Sequence, residues 1–520
     1  MRVVLYDSAN GSLGVQYLVA VLNQAGHEAL VCYDTSLSRE YLAKALPFRG
    51  LFSIGTDLVC REIMGLRPDL IGFSMNSFNY AESLVLVKRL KRQYPRAVVV
   101  CGGVHVTLLP HEVLRNPEVD FAVVGEGERA LTQLADSLSK SSLNDVKALP
   151  PEMLPGVWSV SRGTVVDRGI APLVTDLDTL PFPDKSAYER ANPAFNRVYS
   201  IAASRGCLYG CTYCNSPSTR ALYRTCGAGF HRVRSVDNII AELRAAMERH
   251  RPRHVEFFDD LFGAELGWLR EFSAAYKKEI GLPYGIETNS LLLDDERLAL
   301  LAESGCAVLE VGLQSANEQV RKTILNRHET NAKVHEVITR ARALGIFVEL
   351  DFIVDLPGET PEHLSEILEF IRQSRPNLTN ISFLQYFPRT RLLEKAVEEG
   401  RISQEQLLRI ENGEAFGSLR LPQNRRLQYR LFPYHDLFAR ILPPALSRLL
   451  SRIIELPGIR FVFGLIGSPA VYVVRVWTAL SDRRAYYLHW HLVRAFHAAK
   501  RTLRRKIWGG AKPHPPVSGT

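Results

Sequence analysis

Three cysteines stand in the stretch Ser204-Arg205-Gly206-Cys207-Leu208-Tyr209-Gly210-Cys211-Thr212-Tyr213-Cys214, spaced C-x3-C-x2-C. Thiolates are soft ligands, and three on one loop can each take one iron of a cubane [4Fe–4S] cluster. The fourth iron is then left without a protein ligand. It is open to a chelating substrate, as the open position of a catalytic metal is. The competing arrangement is a structural zinc site with Cys226 as the fourth ligand. Such sites are ordinarily built from paired C-x2-C units with a further Cys or His pair, and no second pair follows Cys214. Cys226 and Cys306 otherwise read as small buried residues, and Cys32, Cys60 and Cys101 as strand or helix core. His489 and His491, beside Tyr486, Tyr487 and Trp490, are two apart and do not share one helix face, so an aromatic belt or plain packing suits them better than a metal.

A loop with this chemistry has to be held by regular elements. β-Branched runs predict strands at Val198–Ala203, His254–Phe258, Tyr284–Glu287, Val308–Gly312, Val348–Val354 and Ile381–Gln385. Between them lie helical patterns at Val236–His250, Asp295–Ser304, Ala332–Leu344 and Pro361–Gln373. Gly305 and Gly345 stop the second and third, and Thr360 caps the fourth with Pro361 at its first position. Six such units suit a partial (β/α)6 barrel over residues 196–390, with its site at the carboxyl ends of the strands. The cysteine loop directly follows the first of them.

Residues 1–140 show the same alternation. Strands are expected at Arg2–Tyr6, Ala29–Tyr33, Leu70–Ser74, Val98–Cys101 and Phe121–Val124, with a helix over Leu13–Ala25 ending at Gly26. Alternating strands and helices predict an α/β domain, a doubly wound parallel sheet that binds ligands beyond the strands' carboxyl ends. The loops there are Asp7–Gly14, Ser74–Asn79, Gly102-Gly103-Val104-His105 and Gly125-Glu126-Gly127. A dinucleotide site is the default for such a sheet, but no G-x-G-x-x-G follows the first strand. Residues 141–195 are proline-rich and read as a linker with a little extended structure. Residues 391–520 read as a helical, basic C-terminal region.

The chain has 520 residues, 46% of them hydrophobic and 23% charged, which is ordinary for a globular protein of two to four domains. Eight cysteines in this length do not make a disulfide framework, and a reducing cytoplasmic setting is expected. Arg2 is followed only by the short apolar run Val3–Tyr6 before Asp7, which does not read as a signal peptide. Net charge is +9, and residues 481–520 hold nine Lys or Arg against the single acid Asp482. Basicity therefore belongs to a tail, which suits a solvated end or peripheral contact with an anionic inner membrane face better than nucleic acid. The uncharged apolar run Phe461–Val474 contains Gly464, Gly467 and Pro469 and is 14 residues long. That is short of the roughly 20 needed to span a bilayer.

The cysteine motif, with Tyr213 before its last cysteine, resembles that of the radical S-adenosylmethionine (SAM) superfamily. The resemblance extends over about 196–390. His254-Val255-Glu256-Phe257-Phe258-Asp259-Asp260 looks like the family's second-strand segment, and through it Asp259 and Asp260 are implied at the methionine amine. Val311-Gly312-Leu313-Gln314-Ser315 resembles the segment that usually reads Gly-x-Glu-Ser, which puts Gln314 toward SAM. Phe352-Ile353-Val354-Asp355-Leu356-Pro357-Gly358 resembles the fifth-strand turn, with Asp355 where glycine is commoner. The chemistry implied is reductive cleavage of SAM to methionine and a 5′-deoxyadenosyl radical, driven by an external one-electron reductant such as flavodoxin or ferredoxin.

Residues 1–140 resemble the cobalamin-binding domain of cobalamin-dependent radical SAM enzymes. The match rests on Leu13-Gly14-Val15-Gln16-Tyr17-Leu18, Gly102-Gly103-Val104-His105 and Val124-Gly125-Glu126-Gly127-Glu128. By that resemblance Gly102, Gly103, Gly125 and Glu126 approach the cobalamin, and Ser74 can bond its nucleotide tail. Where many cobalamin proteins carry Asp-x-His-x-x-Gly, this chain reads Asp7-Ser8-Ala9-Asn10-Gly11, so the loop offers no imidazole to cobalt. His105 is either an alternative ligand or a core histidine.

The reading is a cobalamin-dependent radical SAM methyltransferase acting on an unactivated carbon of a small-molecule or lipid-like substrate. One SAM would methylate cobalamin and a second would give the radical. The same cofactors could serve a cyclase or rearrangement enzyme without methyl transfer. A non-catalytic cobalamin and iron–sulfur sensor is the alternative outside enzymes.

Overall fold

The computed structural model describes residues 1–8, 11–34, 55–224, 229–414, 423–456, 458–459 and 500. The loop residue Ala9, Cys226, the run Phe461–Val474, the histidines His489 and His491 and nearly all of the basic tail lie outside the described residues.

The N-terminal sheet is built from β1 (Arg2–Asp7), β2 (Glu28–Tyr33), β3 (Leu70–Ser74), β4 (Val99–Gly102), β5 (Phe121–Val123), β6 (Val157–Ser161) and β7 (Thr164–Val166), in the order β2-β1-β3-β4-β5-β6-β7. The first five strands are parallel. Both faces are covered. Val3, Leu5, Val100 and Val123 pack on the helices Leu13–Gln24 and Gly127–Lys140, while Val4, Ile71, Val99 and Cys101 pack on the other face. Strands buried on both sides need unbroken apolar runs, and these are the runs visible in the sequence.

The stretch expected to be a linker is more than that. β6 pairs antiparallel with β5, and β7 with β6, so this hairpin completes the sheet. Its turn, Arg162-Gly163, has both residues at positive φ (51° and 80°), as a tight two-residue hairpin requires. Farther on, the helix Ser186–Ala191 returns to the strand tips, where Tyr188 Oη donates to Asp7 Oδ2 at 2.8 Å. Lys185 is buried between the two sheets and donates to Gln16 Oε1 at 3.0 Å and to the Ser200 carbonyl at 2.6 Å.

The second sheet holds β8 (Val198–Ile201), β11 (His254–Phe257), β12 (Tyr284–Thr288), β13 (Cys306–Gln314), β14 (Phe347–Val354) and β15 (Leu378–Phe383), all parallel in the order β15-β14-β13-β12-β11-β8. Between β8 and β11 a short antiparallel pair, β9 (Ser204–Arg205) and β10 (Arg232–Val233), frames the cysteine loop. Alternate residues of the barrel strands, among them Ile286, Leu309, Val311, Val348 and Leu350, pack outward on the helices. The intervening positions carry Glu256, Glu287, Glu310, Glu349 and Asp351. The helices Val236–His250, Asp295–Ser304, Asn331–Ala343 and Pro361–Ser374 lie close to their predicted bounds, and Gly305 ends the second in the left-handed region. Beyond the barrel the described chain is helical at Gln423–Ile441 and Pro444–Ile454. No helix among the described residues is long and apolar enough to cross a membrane.

Candidate functional site

The carboxyl ends of β1, β3, β4 and β5 face the first strands of the barrel across a cavity of about 400 Å³. Its inner wall is apolar, from Leu5, Leu18, Val100, Val123 and Leu131, and glycines such as Gly14, Gly72 and Gly102 keep that wall thin. A Cβ on Gly72 would stand 2.5 Å from Leu5 Cδ2, so the slot depends on that position staying bare. At the mouth stand Ser74, Gly103, Gly125, Glu126 and Glu128 from the first domain, and Ala202, Arg205, Gly206, Phe258 and Asp260 from the second. A slot with an apolar interior and a polar rim, at the carboxyl ends of a parallel sheet, fits a large ligand with a flat apolar tail and a polar body. Five of the residues expected at this site, Ser74, Gly102, Gly103, Gly125 and Glu126, do line the cavity.

Asp7 has a different use. Besides Tyr188, its carboxylate accepts the Ser12 amide at 2.8 Å, so it pins the first loop. His105 lies outside the cavity wall and is 0% exposed. It stacks on Tyr80 at 4.0 Å with its Nδ1 3.0 Å from Ser77 Oγ, and burial pushes its pKa down to about 4. This is the core histidine of the two alternatives.

Gly206, at the edge of the cavity, leads directly into Cys207. All three motif cysteines are half-buried, whereas Cys32, Cys60, Cys101 and Cys306 are buried. Burial raises the Cys207 thiol and pushes Cys214 up to about 11, with Asp260 adding to both. Such thiols need a metal to take their protons. The loop itself is held from outside. Asn326 Nδ2 donates to the Gly210 carbonyl at 2.8 Å, Thr212 N to the Leu325 carbonyl at 3.1 Å, and Arg220 Nη1 to the Cys207 carbonyl at 3.1 Å. Arg327 donates to Tyr213 Oη at 3.2 Å and to the Gly312 carbonyl at 2.6 Å, and pairs with Glu329 at 2.5 Å.

The other residues expected at SAM separate into different environments. Asp260 is in the cavity wall, its carboxyl raised by burial. Asp259 is 2% exposed and is occupied structurally, accepting Ala203 N at 3.0 Å and Ser204 Oγ at 2.5 Å, with burial lifting its pKa to about 6. Tyr213 packs against Leu325, Leu356, Leu384 and Leu392 rather than standing open. Gln314 sits at a bulge in β13 with φ 69°, a strained setting for a residue with a Cβ. Asp355 likewise has φ 68°, which explains why glycine is the easier residue there. Inside the barrel, burial with nearby Asp351 lifts Glu287 to about 7 and Glu310 well above the usual carboxylate range.

Residues 201–371 match the Radical SAM superfamily, and residues 6–135 match the B12 binding domain. The two matches define the class: a radical SAM enzyme with a cobalamin-binding domain in front of its barrel. Cytidylyl-2-hydroxyethylphosphonate methyltransferase of Streptomyces wedmorensis is 24% identical over 76% of this chain and 79% of its own length. Anaerobic magnesium-protoporphyrin IX monomethyl ester cyclase of Rubrivivax gelatinosus is 23% identical over 73% of this chain and 65% of its own. The solved structure of the cobalamin-dependent SAM radical enzyme OxsB with aqua-cobalamin shares the fold at a TM-score of 0.64 and 14% identity, covering 97% of this chain and 84% of that one. The chain is thus homologous to the cobalamin-dependent radical SAM methyltransferases, and its two domains imply a [4Fe–4S] cluster, SAM and cobalamin. A small-molecule substrate and a reductant accompany that chemistry.

Proposed function

We propose that this enzyme transfers a methyl group to an unactivated carbon, with Cys207, Cys211 and Cys214 holding the cluster and the slot beside them holding cobalamin. The observation that carries the reading is the shared wall. Gly206 and Asp260 border both the cavity at the tips of the first sheet and the cysteine loop. When bound, the three groups supply a one-electron reductant for the SAM sulfonium, the SAM itself, and a methyl carrier. The chain's own part is placement. Among the described residues no three potential ligands converge on one ion, while a cubane takes each thiolate at a different iron. Asp260, exposed at the junction, offers a carboxylate to the methionine ammonium. Phe258, 52% exposed on the cavity wall, gives an apolar surface for a substrate between the two domains.

The test uses SAM with a deuterated methyl group, reduced holoenzyme and metabolite extract from cells lacking the gene. The expected result is a new labelled product together with 5′-deoxyadenosine. 5′-Deoxyadenosine with a new product that carries no label would sink methyl transfer and favour ring closure, the reaction named for the cyclase relative. No 5′-deoxyadenosine under any reductant would point to the sensor.

The substrate we infer is apolar and membrane-borne, reached by peripheral contact with an anionic bilayer. In the helix Pro444–Ile454 and just past it, Leu446, Leu449 and Leu456 are exposed on one face, with Arg452 beside them, ahead of the basic tail. Replacing the three leucines with serine should reduce co-sedimentation with phosphatidylglycerol vesicles. Equal binding by both proteins would end the idea.

A further inference from the structure

Three segments around the cysteine motif converge on one residue of the first domain. Arg205, two residues before Cys207, donates from Nη1 to Glu126 Oε1 at 3.2 Å and pairs through Nη2 with Glu128 at 2.7 Å. Arg232, its partner across the β9–β10 pair, reaches the same Glu126 at 2.8 and 3.0 Å. Tyr223, at the end of the helix Asn215–Leu222 that follows Cys214, accepts the Glu126 amide at 3.2 Å through its hydroxyl. The Glu126 carboxylate also takes the Val174 amide at 2.7 Å.

This hub is dry and balanced. Side-chain exposure is 22% at Arg205, 15% at Glu126, 8% at Arg232 and 7% at Glu128, so two arginines and two carboxylates neutralise one another largely out of water. Moving one member would leave another as a buried, uncompensated charge. The loop is also closely packed. Gly125 has φ 101°, and a Cβ there would meet Tyr223 Oη at 2.5 Å. Glu126, Glu128 and Arg205 all line the cavity, and the Arg205 guanidinium lies over the Tyr17 ring at 5.1 Å, on the helix that forms another wall.

We propose that Arg205, hinged on Glu126, is a positioning residue that couples the two cofactor sites, each of which binds its own cofactor more tightly when the other is filled. The inference rests on the reading of the slot as the cobalamin site and the cysteines as the cluster site. A ligand in the cavity fixes the loop Gly125–Glu128. The charged hub passes that order to Arg205 on one side of the cysteines and, through the Glu126 amide, to Tyr223 on the other. Binding linkage is reciprocal, so a cluster on the cysteines favours cobalamin to the same degree.

The test is an absorbance titration of the full chain with hydroxocobalamin, in cluster-free and cluster-loaded forms. In the native protein the loaded form should bind about tenfold tighter. In Arg205→Gln the ratio should fall to within about twofold, and Tyr223→Phe, which removes one hydroxyl, should fall between. A merely structural role would weaken both affinities and leave the ratio alone. A native ratio near unity, or a variant ratio equal to the native one, overturns the proposal. If Arg205→Gln does not fold, Glu126→Gln and Tyr223→Phe decide the matter by the same ratio. Native protein that takes up no cobalamin, or no iron, would instead refute the site assignment beneath it.

Discussion

Gly103 adopts φ 101° and ψ 179°, a combination open in practice only to glycine, at the mouth of the cavity. In Gly103→Ala the backbone strain alone costs about 1–3 kcal/mol. The new methyl would also stand 2.5 Å from the Met75 carbonyl oxygen and 2.9 Å from its nitrogen. Both are backbone atoms, fixed by Met75 N donating to Gly102 O at 2.7 Å and His105 N donating to Met75 O at 3.2 Å, so the chain itself must shift. Overpacking of that kind adds about 1–3 kcal/mol. The sum is about 4 kcal/mol, or about 10 °C in the melting temperature of a domain this size. Cobalamin affinity should fall as well, because the displaced loops form the mouth. Gly163→Ala is the control: φ is 80°, but nothing lies within 4 Å of the added Cβ. It should cost only about 1 kcal/mol and leave cobalamin binding unchanged. Thermal melts followed by circular dichroism and a cobalamin titration measure both effects. A Gly103→Ala protein that melts within about 2 °C of native and binds cobalamin normally would show that the loop yields freely.

Replacing Cys207, Cys211 or Cys214 by alanine should remove most of the iron and sulfide from reconstituted protein, while Cys306→Ala, at a buried position, leaves them unchanged. Arg327→Gln strips the partner from Glu329, whose side chain is 1% exposed, and should cost about 3–5 kcal/mol in urea unfolding with slower cluster assembly. His105 is held neutral, its pKa moved from 6.5 down to about 4 by burial. A depressed folded pKa gives stability that is present above pH 6.5 and lost as pH falls toward 4. The loss is about 3 kcal/mol. Urea midpoints of the apoprotein should therefore fall between pH 7 and pH 5 by more in the native chain than in His105→Gln.

The strands were legible because a parallel sheet covered on both faces demands continuous β-branched runs, and helix ends such as Gly305 carry their own stop. The cysteine loop stood out because its three thiols are close in sequence. The β6–β7 hairpin was not, since prolines around it masked two short strands of three and five residues. Nor was the hub at Glu126, whose partners lie 79, 97 and 106 residues away, a separation no local pattern records. Asp259 and Asp260 differ by one position in the loop past β11, where one turns into the interior and the other lines the cavity. The acidic barrel interior was missed, although Glu349 and Asp351 stand two apart on β14 among apolar neighbours.

The antiparallel hairpin and the helix bearing Tyr188 also bear on how this chain can be cut. A fragment ending near residue 140 would strip β6 from β5 and leave a bare strand margin, open to pairing with another molecule. It would also leave Asp7 and Gln16 facing water where Tyr188 and Lys185 now meet them. A piece of the first domain therefore has to reach at least past the helix bearing Tyr188, to about residue 196. Any transplant of this module onto another barrel has to bring along its proline-rich extension, as the keystone of the graft.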